Sequence, residues 1–349
     1  MADKSVWDKM FAEAEKVFRA HHEPINKEMD KKLIINICGG SSFADKKINP
    51  SIPYTTKEAQ REVRDAYNAG AQLWHFHPKD PETGALFLPM DKRLKVHKEW
   101  CDAAFEVAPD IITNVGNIYV GPPKFVEGTA LIDEESILAE TRVAPCIEPL
   151  IKMGPKNRYV ETAVLLHHTC AAGGSLLLGV NTKVSCISVC KYLQDRGITI
   201  DIAPFKHSDI TDAKEWLLDS GICKRPVILS TLMGVHNSPI PASTEEAIML
   251  LFDYYRMLPK GPKAKGVLWQ SLVGGRYWLP VTAAAIFLGA DVVRVGMEDA
   301  IYMYPHSDEL VSSCGKVTEA VAGIARRLGR ELATPSEART MLNLPQILK

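Results

Sequence analysis

TTKEAQREVRDAYNAGAQLWHFHP, residues Thr55–Pro78, contains one whole unit of the pattern that decides the architecture. Thr55 or Thr56, with Glu58 close behind, reads as a helix N-terminal cap, because a threonine hydroxyl can accept from the first unpaired backbone N–H groups. The following residues have helical periodicity and stop at Gly70, after which QLWHFHP reads as a short apolar strand. Side chains alternate along a strand with period two. His75 and His77 therefore share one side, and Trp74 and Phe76 take the other.

The same alternation extends in both directions. LIINICGG from Leu33, DIITNVG from Asp110, TAVLLHH from Thr162, ITIDIAPF from Ile198, VILSTLMG from Val227, GVLWQSLVGG from Gly266 and DVVRVGMED from Asp291 are further strand candidates, which makes eight. Helical stretches lie between them, such as TKVSCISVCKYLQDRG, ITDAKEWLLDSG, VTAAAIFLGA and STEEAIMLLFDYYRMLPKG, the last capped by Ser243 or Thr244 with Glu245 and Glu246. Eight strand–helix units over about 300 residues predict an α/β fold, a (β/α)8 TIM barrel. The structural rival is a doubly wound open sheet. The barrel is assigned to residues 32–349 with a C-terminal tail, and residues 1–31 to an N-terminal helical extension. In that extension SVWDKMFAEAEKVFRA, residues 5–20, places Val6, Met10, Val17 and Phe18 near one face, a pattern for docking on the body or on another subunit. The Pro- and Gly-containing stretch Val120–Asn157 reads as loops over a barrel face.

Composition narrows the classes. The chain has 349 residues, 46% of them hydrophobic, and its 41 basic residues nearly cancel 42 acidic ones. No net field draws it to nucleic acid or to an anionic membrane. Its eight cysteines are scattered without a CxxC pair, as reduced thiols of a cytoplasmic protein would be. Asp3, Asp8, Glu13 and Glu15 interrupt any leader-like composition at the N-terminus, and no run is long enough to span a bilayer. Neither a Walker nor a dinucleotide-binding glycine pattern is present.

His75 and His77 stand at the C-terminal end of the second strand, the end at which barrel active sites are built. Two neutral imidazoles there can share a metal ion, although hydrogen-bonded core histidines would look the same. On the eighth strand Arg294, Gly296 and Glu298 share a face. Strands two and eight both flank strand one, so His75, His77 and Glu298 can meet at one ion, the donor set of a catalytic site with open positions. The competing reading of Arg294 and Glu298 is an internal ion pair that fills the barrel.

HFHPKDPETG after the second strand, GGR (Gly274, Gly275, Arg276) after the seventh, VRVGMED on the eighth and RELATPSEAR near the C-terminus together resemble the β-keto acid cleavage enzymes. The resemblance runs from about Lys32 to Leu344. It implies a zinc-dependent barrel, or one using another divalent metal, that takes a β-keto acid and acetyl-CoA to acetoacetate and a new CoA thioester. It further implies His75, His77 and Glu298 as metal ligands, with Arg294 and Asp299 as the pair assisting proton movement and thioester attack. The family also suggests a homo-oligomer.

Departures from the family pattern fall around the substrate. Where members acting on an amino-bearing keto acid have a glutamate after the first strand, this chain has Ser41; an expected serine on the third strand is Asn114, and an expected arginine is Lys79. The family's acidic position on the fifth strand is replaced within Asp201–His207. Asn114 can donate to a substrate oxygen or an oxyanion, yet Asn before Gly also suits a turn. Asp299 can accept and return a proton or cap the following loop. Arg276, presented by Gly275, suits a CoA phosphate or is a surface arginine. His167, His168, His207 and His236 are candidates for lining the substrate pocket, His167 foremost. A metal-dependent hydrolase and a non-catalytic metal-binding barrel are the two other functions these residues allow.

Overall fold

Strand parity closes the sheet. On β1 (Ile34–Cys38) Ile35 and Ile37 join Leu33 in the core between sheet and helices, while Ile34 and Asn36 face the other way, into the barrel. Seven more strands follow: β2 (Leu73–Phe76), β3 (Ile112–Val115), β4 (Thr162–Leu166), β5 (Thr199–Ala203), β6 (Val227–Met233), β7 (Val267–Val273) and β8 (Val292–Gly296). All pair in parallel with their sequence neighbours, and β8 returns to β1 to complete a closed barrel. This computed structural model describes residues 3–22, 27–40, 44–116, 118–167, 170–172, 177–235 and 238–347.

Helices cover the outside. α1 (Lys4–His22) precedes the barrel, and α2 (Thr56–Ala69) begins on Thr55, whose side chain accepts from Glu58 N–H in a reciprocal capping box. It ends on Gly70 in the left-handed region, and it buries Ala59, Val63 and Ala66 at helical spacing along one apolar stripe, with Glu62 buried beside them and accepting from Cys314 N–H. α3 (Met90–Val107), α4 (Ala144–Lys152), α5 (Lys183–Asp195), α6 (His207–Ala213), α7 (Thr244–Met257), α8 (Trp278–Phe287), α9 (Cys314–Arg327) and α10 (Pro335–Met341) continue the pattern. Ser243 caps α7 by accepting from Glu246 N–H. Val120–Asn157, expected as loops, instead carries α4 and a short preceding helix, Ala139–Arg142. α1 has no buried residue, so it does not dock on the described body.

Inside, the lowest layer is apolar: Ile34, Leu73, Ile112, Ile228, Leu268 and Val292, sealed by Ala333, Ala338 and Leu342 from the C-terminal segment. That segment is pinned by Arg339, which is buried and donates to both oxygens of Glu161 at 2.6 and 3.2 Å. No described helix is long and apolar enough to cross a membrane.

Candidate active site

Above the apolar layer the barrel interior turns polar. Asn36 Nδ2 donates to Gln270 Oε1 (2.9 Å); Gln270 Nε2 donates to Ser230 Oγ (2.6 Å) and to Asp201 Oδ2 (3.2 Å). Ser230 donates in turn to Asp201 Oδ1 at 2.5 Å, and Asn114 Nδ2 donates to Asp201 Oδ2 (3.2 Å) and Thr162 Oγ1 (2.8 Å). The remaining atom of the Asn114 amide, Oδ1, lies 2.7 Å from His75 Nδ1. Register explains the meeting, since His75 stands opposite Asn114 in the β2–β3 ladder.

This network fixes a tautomer. Asn114 presents an acceptor to His75, so His75 carries its hydrogen on Nδ1 and its lone pair on Nε2. Burial first, then the charges of Arg294 and His77, hold this imidazole well below its ordinary pKa of 6.5, so it is neutral near pH 7. The Nε2 lone pair faces His77 Nε2 at 3.0 Å and Glu298 Oε2 at 3.6 Å, and His77 Nε2 lies 3.2 Å from Glu298 Oε1. A buried carboxylate, the His75 lone pair and the His77 Nε2 atom, which can give up its hydrogen to the other ring nitrogen, converge on one point and fit a cation between them. The donor set, two nitrogens and one oxygen, suits a divalent ion of the zinc type.

Glu298 arrives by a different route from the one its spacing suggests. β8 ends at Gly296, and Glu298 and Asp299 sit in the turn beyond it rather than on the strand. Gly296 has φ +149°, and a Cβ there would lie 2.2 Å from the Cys38 carbonyl oxygen, so the close approach of β1 and the turn both require glycine. A second glycine makes room for the imidazoles: a Cβ on Gly116 would stand 2.4 Å from His77 Cε1 and 2.9 Å from His75 Cε1.

Arg294 rises from β8 beneath this cluster. Its Nε and Nη2 donate to the two oxygens of Asp299 (3.0 and 2.9 Å), and Nη2 also lies 3.0 Å from Glu298 Oε2. Burial opposes the guanidinium charge, but Asp299 and Glu298 outweigh it and raise the pKa further, so Arg294 stays protonated. A cavity of about 390 Å³ opens beside Glu298 and Asp299, with Ile301, Tyr302 and Arg276 on its wall. Arg276 lies over the Tyr302 ring at 3.9 Å and donates to Ser307 O and Asp308; Gly275 N–H donates to Asp299 O.

The structure thus gathers His75, His77, Glu298, Arg294, Asp299 and Asn114 into one contact network, and Arg276 borders the same cavity. Lys79 is buried, donates to Ala44 O at 2.9 Å and stands 5.4 Å from the Tyr54 ring centre. His167 packs 5.0 Å from Trp216 and His207 4.6 Å from Tyr254, outside those contacts. Ser41, His168 and His236 lie outside the described residues. Sequence reading left Cys38 without a role and gave Asp201 none beyond its place on the fifth strand. Parity was the available signal for Cys38, which shares a face with Asn36 and stands opposite His75.

Residues 32–344 match the family model described as beta-keto acid cleavage enzyme. A 3-keto-5-aminohexanoate cleavage enzyme of Fusobacterium nucleatum is 30% identical over 318 residues, covering 90% of this chain and 99% of that protein. A 3-dehydrocarnitine:acetyl-CoA trimethylamine transferase of Rhizobium meliloti is 24% identical, covering 92% of this chain and 99% of that one. Among solved structures, the binary complex of ObcA with oxaloacetate aligns with TM-score 0.63 at 15% identity, over 85% of this chain and 68% of that one, a likeness of fold.

Proposed function

The chain belongs to the beta-keto acid cleavage enzyme family, and from that premise we propose that it is a zinc-type metal enzyme exchanging acyl groups between a β-keto acid and acetyl-CoA. R–CO–CH2–COO⁻ and acetyl-CoA would give acetoacetate and R–CO–CoA. The observation that carries this reading is the convergence of His75, His77 and Glu298, with the His75 lone pair turned inward by Asn114. Relatives that are acetyl-CoA transferases support the second substrate.

His75, His77 and Glu298 would hold the ion, which supplies Lewis acidity toward a chelating keto acid when bound. Arg294 keeps a fixed positive charge next to Glu298, where oxygen atoms of the substrate gain negative charge, and a preorganised cation in a buried site is an effective stabiliser of that charge. Asp299, at the cavity and forked on Arg294, would take and return the proton. Arg276 on the outer wall would meet a CoA phosphate by releasing Asp308. Across the barrel, Val164, Ala203, Phe205, Leu232, Val235 and Leu272 on or just beyond β4–β7 form one apolar cluster. That wall favours an uncharged, aliphatic R group and excludes water.

The test is a panel of β-keto acids with charged, polar and aliphatic R groups, incubated with acetyl-CoA and followed by mass spectrometry. Acetoacetate and the matching acyl-CoA should form together, fastest with aliphatic R. Hydrolysis of esters or amides without CoA, and no acetoacetate from any member, would overturn the reading.

A further inference from the structure

We propose that Cys38 is a fourth protein donor to the ion of this site, which makes it a two-histidine, carboxylate and thiolate centre selecting a thiophilic ion of the zinc class over magnesium. The inference rests on the metal reading above and refines it.

Placement comes first. β1 lies between β2 and β8, the strands at whose ends the other donors stand, and Cys38, its last residue, stands opposite His75 on β2 and Gly296 on β8. Its side chain follows Asn36 into the barrel and is fully buried. Contacts come second. Sγ lies 2.5 Å from Glu298 Oε2, and one ligand atom from each of Cys38, His75 and Glu298 falls within 4.8 Å of the others. Gly40 O lies farther from the thiol, at 3.8 Å. The sulfur therefore points at the same place as the His75 and Glu298 donors.

Chemistry gives the consequence. Oxygen and imidazole donors alone accept several divalent ions, whereas a thiolate strongly favours zinc, cobalt or cadmium over magnesium and manganese. As the sulfur–metal bond forms, the Cys38 S–H bond breaks and its proton leaves to solvent. Four protein donors complete a tetrahedral site. An entering keto acid must then either raise the coordination number or displace the thiolate, which regains a proton on release.

Cobalt titration of the metal-free full-length chain tests this independently of turnover. The wild type should show visible d–d bands together with an intense near-ultraviolet thiolate-to-cobalt band, both saturating at one ion per chain. Cys38→Ser should lose the near-ultraviolet band, keep the d–d bands, and bind zinc at least about tenfold more weakly in chelator competition, the loss that outer partners alone already cause. His75→Ala should lose both bands, which separates this centre from adventitious thiol binding. Visible bands without the near-ultraviolet one in the wild type, or a near-ultraviolet band that persists in Cys38→Ser, overturn the role of Cys38 and leave the three-donor centre standing. No cobalt bound by the wild type overturns both. Should Cys38→Ser and Cys38→Ala both fail to fold, the wild-type band and its absence in His75→Ala decide.

Discussion

The amide of Asn114 can sit only one way round. Thr162 Oγ1 spends its hydrogen on Thr113 O and Asp201 is a carboxylate, so both are acceptors and the Asn114 nitrogen must face them. Its oxygen is left for His75, and an acid two hydrogen bonds away thereby sets the direction of a proposed ligand's lone pair. Replacing Asp201 with Ala removes the acceptor that holds Asn114. Zinc affinity should fall tenfold to a hundredfold by chelator competition, the range for lost outer partners; an unchanged affinity would disconnect Asp201 from the site. The same residue has a pH signature. Burial pushes its carboxyl up to about 6 from an ordinary 3.8, against the hydrogen bonds it accepts. The folded state then holds a proton that the unfolded chain gives up, so this contribution is complete below 3.8 and is lost as pH rises through 6. In metal-free protein the stability of wild type relative to Asp201→Asn should drop by about 2 kcal/mol between roughly pH 4.5 and 7, measured by urea unfolding. Gly116→Ala acts on the same centre by crowding: its Cβ would press on both imidazoles. Bound metal should be lost while the far-ultraviolet circular dichroism stays that of wild type.

Elements differ in how plainly the chain announces them. All eight strands lie within the apolar runs that suggest them, because a strand covered by helices outside and packed inside stays apolar along its length. α2 and α7 are equally plain, since Thr55 and Ser243 cap them with side chains that accept from backbone N–H groups of the first turn. Thr55→Ala should cost about 1 kcal/mol in chemical unfolding and leave metal content unchanged. α4 was not legible: Pro145 and Pro149 look like breaks, yet Pro145 occupies the first turn, where no N–H is needed, and packing carries the helix across Pro149. Glu298 was legible as a candidate donor and not as a turn residue, because the chain bends there only once folding brings Gly296 against the Cys38 carbonyl. Cys38 shows the remaining limit. Parity places it inside, but a buried thiol in an apolar strand is ordinary until a carboxylate is seen beside it.

At the scale of the whole molecule, the layers divide the work. The apolar floor and the Arg339–Glu161 pair close the barrel at its N-terminal end, the amide and carboxylate network above it orients His75, and the proposed donors and Arg294 stand at the open end. α1 takes no part: Val6, Trp7, Met10, Phe11, Val17 and Phe18 are all exposed. A chain without residues 1–22 should keep its metal content and melting temperature, and a fall of several degrees would show that α1 supports the barrel. The central claim is that His75, His77 and Glu298 hold one divalent ion, and elemental analysis of purified wild type beside His75→Ala and Glu298→Ala tests it most directly. The account predicts close to one zinc-type ion per wild-type chain and almost none in either variant, with all three folded; metal retained in both variants, or absent from an active wild type, would contradict it.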